Sequence, residues 1–299
     1  MTTPLRIVQP LPVSDSVLVA TDVPESAYPA WSSSTTYAQG DRVHLVSTHK
    51  VYESAAAGNL NNNPATSVQW VEVGPTNRWA MFDRSNTTQT AQSTSFYYRL
   101  QPTGAYNVVF LGGLTGAQSL RIRITHATLG TLLDRTINLT SLPAQAGWWE
   151  WFYGERRGPT LAVEDVPGVL GSELRIDVTG TTALAAGVLL FGQAKELGIL
   201  VQQGARVGIQ DYSRKESTDF GDTVLVQRAY AKRASFDIPI KAELVDEAIT
   251  YLASIRAIPC LFIGPRYESA VIYGFYKEFD VNIAYASHSV CSLQVEGLT

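Results

Sequence analysis

Ser119-Leu-Arg-Ile-Arg-Ile-Thr125 puts Leu120, Ile122 and Ile124 on one side of an extended chain and Arg121 and Arg123 on the other. Successive side chains of a strand point to opposite faces, so a period of two predicts a strand with one face in a core and one in water. Glu173-Leu-Arg-Ile-Asp-Val178 repeats the pattern. Further β-rich runs stand at Ser95–Leu100, Asn107–Leu111, Leu161–Glu164 and Ala186–Phe191, separated by clusters of Gly, Pro and Thr. Short strands at such intervals, with little helical periodicity, predict a jelly-roll-like β-sandwich over residues 76–200. Gly112-Gly-Leu-Thr-Gly116 leads into no helix start and reads as a turn between strands, not a phosphate loop.

Residues 201–299 read differently. Gln227–Pro239 is strand-like. Lys241 to Ala257 then carries Leu244, Val245, Ala248, Ile249, Leu252 and Ile255 at helical spacing, which predicts one amphipathic helix ended by Pro259. Strands are expected at Cys260–Ile263, Ala270–Tyr276, Phe279–Ile283 and Ser289–Val295, giving an α+β C-terminal domain. Residues 1–29 read as an N-terminal arm with short strands at Leu5–Val8 and Ser16–Ala20, punctuated by prolines. The arm has too little apolar surface to fold alone and must pack on another domain or subunit.

Between arm and sandwich, residues 30–75 form a small aromatic β module. It contains Ala30-Trp31, Tyr37, Gly40-Asp41-Arg42-Val43, Val51-Tyr52, the loop Asn59-Leu-Asn-Asn-Asn-Pro64, and Trp70. A unit this short supports only a miniature core, so its rings either build that core or form a flat surface of the kind that stacks on sugars. The densest aromatic run lies elsewhere, at Trp148-Trp-Glu-Trp-Phe-Tyr153. As a strand it would turn Trp148, Glu150 and Phe152 one way and Trp149, Trp151 and Tyr153 the other. It reads as core with a covering loop, the alternative being a contact surface for a neighbouring subunit.

Bulk properties narrow the function. The 299 residues are 45% hydrophobic and only 17% charged, with net charge -4, which suits a multidomain chain that buries surface against neighbours and has no field attracting nucleic acid. Arg156-Arg157 and Lys232-Arg233 are too short for a nucleic-acid stripe and read as solvated or interface charge. The N-terminus has no secretory pattern, and the longest apolar run, Ala183–Phe191, is too short to cross a bilayer. No membrane insertion is expected, and synthesis is expected in the cytoplasm. Cys260 and Cys291 lie in apolar runs without metal-type spacing and read as buried free thiols, a disulfide being the alternative.

Catalytic patterns are wanting. His44, His49, His126 and His288 have no metal-ligand spacing, and neither Gly-x-Ser-x-Gly nor a phosphate-loop signature occurs. The acidic pairs Glu164-Asp165 and Asp219 with Asp222 give no evident sugar-cleaving geometry, the second reading as a hairpin tip. The expectation is a protein that is not an enzyme, with no catalytic residue, cofactor or metal.

Two resemblances sharpen this. Ala30-Trp31, Tyr37, Gly40-Asp41-Arg42-Val43, Tyr52, Asn63-Pro64 and Trp70 resemble the small carbohydrate-binding modules of bacterial chitinases. That resemblance makes Trp31, Tyr37, Tyr52 and Trp70 candidate carbohydrate-binding residues. The wider chain resembles tailed-bacteriophage tail-tip or baseplate (minor tail) proteins. The segments concerned are Leu5–Pro10, Gly74–Asp83, Gly208–Glu216, Tyr273–Asp280 and Cys291–Leu298. It implies a virion structural protein assembled in the infected cell, with other copies of itself and other tail proteins as partners and host surface polysaccharide as a further one. A receptor-binding adhesion protein is the alternative, and a polysaccharide hydrolase the remaining one.

Overall fold

The computed structural model describes residues 4–139, 161–199, 205–217, 223–264, 268–283 and 287–298. The Trp148–Tyr153 run, Arg156-Arg157 and the Asp219/Asp222 pair lie outside them. The chain is mainly β, in several sheets.

Three sheets stack in layers around the run that the sequence makes most apolar. Strands Tyr106–Gly112, Leu161–Gly168 and Val188–Gly192 form a three-stranded sheet with Tyr106–Gly112 in the middle. A strand buried on one face alternates, whereas one buried on both is apolar throughout. Val108-Val-Phe-Leu111 and Val188-Leu-Leu-Phe191 are apolar throughout, and both faces are covered. Val109, Leu111, Leu189 and Phe191 pack toward Phe96, Leu120, Ile122, Ile124, Leu174 and Ile176. Those residues belong to a six-stranded antiparallel sheet that includes Ser95–Leu100, Thr115–His126, Gly130–Asn138 and Glu173–Ala186. Val108, Phe110, Val188 and Leu190 pack the opposite way, against Val8, Leu261 and Ile263.

Those last three residues come from a seven-stranded antiparallel sheet. Its order is Ala194–Leu197, Leu5–Val8, Cys260–Ile263, Val271–Asn282, His288–Gly297, Tyr230–Lys241 and Arg206–Asp211. Leu5–Val8 is thus hydrogen-bonded on both sides, opposing Ile7 to Lys195 and to Phe262. Its alternation serves two cores. Leu5 and Ile7 join Phe236, Leu252 and Phe262 under the helix Val245–Ser254, while Val8 faces the three-stranded sheet. Arg6 lies on the Val8 side and pairs with Glu164 and Asp165, tying the two sheets together. The stacked rings of Phe110 and Tyr273, 5.8 Å apart, do the same. The second short N-terminal strand, Leu18–Thr21, pairs with Ser95–Leu100 at the edge of the six-stranded sheet, so the described part of the N-terminal arm, residues 4–29, gives one strand to each of two sheets.

Several sequence expectations need correction. The helix spans Val245–Ser254 only, and while Val245, Ala248, Leu252 and Ile255 are buried, Leu244 and Ile249 are 43% and 37% exposed. The strands expected at 270–276 and 279–283 are one strand, Val271–Asn282, with an irregularity between Tyr276 and Glu278 that shifts register without ending it. Strands Gly130–Asn138, Ala194–Leu197 and Arg206–Asp211 were not anticipated, whereas Arg214–Ser217 and Thr223–Val226 pair as the hairpin whose tip was read at Asp219 and Asp222. Gly112–Gly116 does turn between strands. Gly116 has φ +67, and a Cβ there would meet the Thr181 hydroxyl oxygen at 2.6 Å.

Cys260 and Cys291 are buried and unpaired. Burial pushes the Cys260 thiol up to about 12 and that of Cys291 to about 11. No helix among the described residues is long and apolar enough to cross a membrane.

Candidate functional site: the aromatic unit and its junction

The aromatic stretch folds as a three-stranded sheet, Arg42–Leu45, Lys50–Ser54 and Trp70–Pro75, beside the two-residue pair Thr36–Tyr37 and Asn59–Leu60. Polar residues hold its turns. The Asp41 carboxylate accepts the Ala38 N–H at 2.7 Å, and Gly40, at φ +88, donates to the Ser54 carbonyl at 2.8 Å. Asn59 is buried and donates to Ser54 Oγ at 2.9 Å. Asn62 donates to Asn59 Oδ1 at 2.8 Å and to Gln69 Oε1 at 2.9 Å. The Gly-Asp and Asn-rich segments thus satisfy the backbone of a unit too small to do so with sheet ladders alone.

The rings inside this frame are its core. Tyr37, Tyr52 and Trp70 are 7%, 5% and 6% exposed and cluster around Val43, with Trp31 and Leu45 packed against them. Tyr37 and Trp70 meet edge to face at 5.2 Å. The Tyr37 hydroxyl accepts the Ser32 N–H at 2.8 Å, and the Trp70 indole N–H donates to the Asn62 carbonyl at 3.0 Å. A sugar stacks on an open ring face, and these three rings have none to offer. Of the four candidate carbohydrate-binding residues, Tyr37, Tyr52 and Trp70 thus lie in this small core, and Trp31 is half-buried against it with its indole nitrogen buried. The unit's exposed apolar residues are instead Val46, Leu60, Val68, Val71 and Val73, with Val68 94% exposed.

A side-chain hub joins the unit to the layered body. His49 occupies the tight turn between Arg42–Leu45 and Lys50–Ser54 at φ +54 and stacks on Trp79 with ring centroids 4.1 Å apart. Its Nε2 lies 3.0 Å from Asp15 and its Nδ1 3.1 Å from Glu25. Glu25 also accepts from the Thr76 hydroxyl at 2.9 Å and pairs with Arg78 at 2.9 Å. Trp79, Ala80 and Met81 are buried, and Met81 enters the core between the six- and three-stranded sheets. The left-handed backbone of a non-glycine residue costs about 1 kcal/mol, offset here by the contacts His49 makes. Sequence reading missed this hub because its members come from separated segments. The only local signal is Thr76-Asn-Arg-Trp79 directly after Gly74-Pro75.

The other histidines do not converge. His44 Nδ1 is 2.7 Å from the Tyr28 carbonyl, and His126 caps its own turn through Thr128. No group of His, Cys, Asp and Glu among the described residues could hold a metal ion. Glu164 and Asp165 are engaged by Arg6. Comparison with family models, curated proteins and solved structures gives no match to this chain.

Proposed function

We propose that the chain is a structural protein of a bacteriophage tail, placed in the tail-tip or baseplate complex, whose aromatic unit touches host surface glycan through Trp31. The observation that carries this reading is a division of labour. A small unit with its own ring core is held on a layered β body by one hub, while the seven-stranded sheet of that body ends in open edges at Ala194–Leu197 and Arg206–Asp211. Open edges and partly exposed rings belong to subunits that are completed by neighbours. In this reading the facing six- and three-stranded sheets are the jelly-roll-type sandwich of the middle region. Residues 201–299 are the α+β assembly unit, and the partners are further copies of the chain and other tail proteins, made together in the host cytoplasm. One stacked ring contributes about 1 kcal/mol, so useful glycan affinity comes from many copies acting together.

The test is to locate the chain in intact particles by electron cryo-microscopy. Density in a ring beneath the tail tube supports the reading. Density at the neck or in side fibres, or no density in virions, rejects the tail-tip placement. A second reading makes adhesion the main task, favoured by the exposed Leu60, Val68 and Val71 on the small unit. It predicts lost adsorption on Trp31→Ala, whereas the structural reading predicts normal adsorption of that variant and failed assembly when residues 201–299 are removed.

A further inference from the structure

The strand Arg206–Asp211 closes one side of the seven-stranded sheet and, among the described residues, pairs only with Tyr230–Lys241, so every second backbone N–H and C=O along it points away from that partner. Sheet edges are usually protected by shortness, by charged side chains, by proline, by a bulge or by a cover, and here the charges, Arg206 and Asp211, stand only at the two ends. This edge has six residues in unbroken register, no proline, and Val207 and Ile209 exposed at 43% and 57% on the helix side.

The other side of the same strand borders a groove of about 330 Å³. Register places Arg206 beside Ser235 and Gln294, and Gly208 beside Arg233 and Glu296, all on one face. Lys277 lines the same groove. Elsewhere the chain matches cross-strand arginines to carboxylates: Arg121 to Asp134, Arg99 to Glu173, Arg42 to Glu53. Here no such ion pair forms. Arg206 faces Ser235, and Arg233, although in register with Glu296, makes no ion pair with it and lies across Gly208, where a Cβ would stand 3.5 Å from Arg233 Nε. Glu296, the one carboxylate in the groove, is taken by the Tyr212 hydroxyl and approached by Lys277 at 3.7 Å. Two guanidinium groups are thus left without a carboxylate among the described residues, next to an open row of backbone donors and acceptors.

We propose that this edge receives an extended acidic segment of a partner protein, added to the sheet as one further strand. Alternate side chains of such a strand would point to opposite faces, placing carboxylates over Arg206 and Arg233 and apolar residues beside Val207 and Ile209. A second copy of this chain fits less well. The other free edge of its seven-stranded sheet is Ala194-Lys-Glu-Leu197, in which lysine beside glutamate leaves no net charge. The inference stands on edge geometry and charge, and holds whether or not the tail reading does.

The experiment uses the full chain and an alternating valine–glutamate octapeptide, followed by fluorescence anisotropy and by amide hydrogen exchange of residues 206–211. The peptide is expected to bind, to slow exchange along the strand, and to weaken as salt rises. Its lysine counterpart and a version N-methylated at every second residue should not bind. Combining Arg206→Glu with Arg233→Glu should weaken the acidic peptide about tenfold or more and admit the lysine peptide, a swap that a merely unfolded variant cannot produce. Absence of binding, or equal binding of both peptides, would overturn the proposal. So would equal binding of the N-methylated form, which would mean an anion groove without strand pairing. Displacement by oligoglucuronate at equal concentration would assign the groove to a saccharide. Protection that grows with protein concentration in the absence of peptide would assign the edge to a second copy. Either result would also overturn it.

Discussion

Replacing Ile7 by alanine tests whether the N-terminal strand belongs to the body of the molecule. Ile7 is fully buried and sits between Lys195 and Phe262 in register, its side chain among Phe236, Leu252 and Phe262 beneath the helix. The substitution removes three carbons at about 0.8 kcal/mol each, and a cavity in a packed core adds to that. The expected loss is about 3–4 kcal/mol, with Ile7→Val near 1 kcal/mol. Urea denaturation followed by circular dichroism measures both. Val19→Ala, at a side chain 47% exposed on the edge strand Leu18–Thr21, is the control and should change stability by less than about 0.5 kcal/mol. If Ile7→Ala cost no more than that control, the strand would be a loosely attached arm and the layered arrangement argued from it would fail.

Trp70→Ala should remove the centre of the small unit, at a cost of about 3–5 kcal/mol confined to residues 30–75. Amide exchange would then rise there while the three larger sheets keep their protection. Glu25→Gln should leave His49 and Arg78 without their shared carboxylate and loosen the unit from the body. A changed Trp79 fluorescence with an unaltered far-ultraviolet spectrum reports it. Acid should weaken the six-stranded sheet, because hydrogen bonding from Arg99 holds the Glu173 carboxyl below its ordinary range and Arg121 does the same for Asp134. Groups lowered in this way favour the folded state above their ordinary pKa and lose that contribution as pH falls through the lowered value. Stability should therefore drop as pH falls below the ordinary carboxylate range, and less so in Glu173→Gln. At the alkaline end, the raised thiols of Cys260 and Cys291 favour the folded state below their ordinary pKa and lose that contribution as pH climbs toward 11–12. Native protein should accordingly resist thiol reagents at pH 8 and react fully once unfolded.

The legible parts of the fold were those where one strand carries its own pattern. Ser119–Thr125 and Glu173–Val178 alternate because water lies on one side of them, and Cys260–Ile263 is uniformly apolar because cores lie on both. What resisted reading depends on partners. Gly130–Asn138 pairs along its whole length with Thr115–His126, yet as an edge strand it buries little and its composition, Gly-Thr-Leu-Leu-Asp-Arg-Thr-Ile-Asn, reads as a loop. Leu5–Val8 is too short to reveal that both of its neighbours come from beyond residue 190. In the aromatic unit the composition signalled rings but not their exposure. A motif of Trp and Tyr looks the same whether it builds a core or a platform, and only the packing of Tyr37, Tyr52 and Trp70 around Val43 separates the two. The hub of Asp15, Glu25, His49 and Arg78 left only the local run Thr76–Trp79 as a signal, since charge pairs from separate segments have no period.

The place of Leu5–Val8 in the middle of its sheet also sets a timetable. It leaves the ribosome well before Ala194–Leu197 and Cys260–Ile263, the strands that flank it. At about 5–20 residues per second, the stretch from Val8 to Cys260 takes on the order of 10–50 s to make, and until then this strand lacks its partner Cys260–Ile263. The six-stranded sheet can close meanwhile, since its strands all lie between residues 18 and 186. The seven-stranded sheet cannot close until His288–Gly297 emerges. Birth of the molecule is therefore two-staged, and a nascent chain halted before residue 260 would present a finished half beside an unpaired, aggregation-prone one.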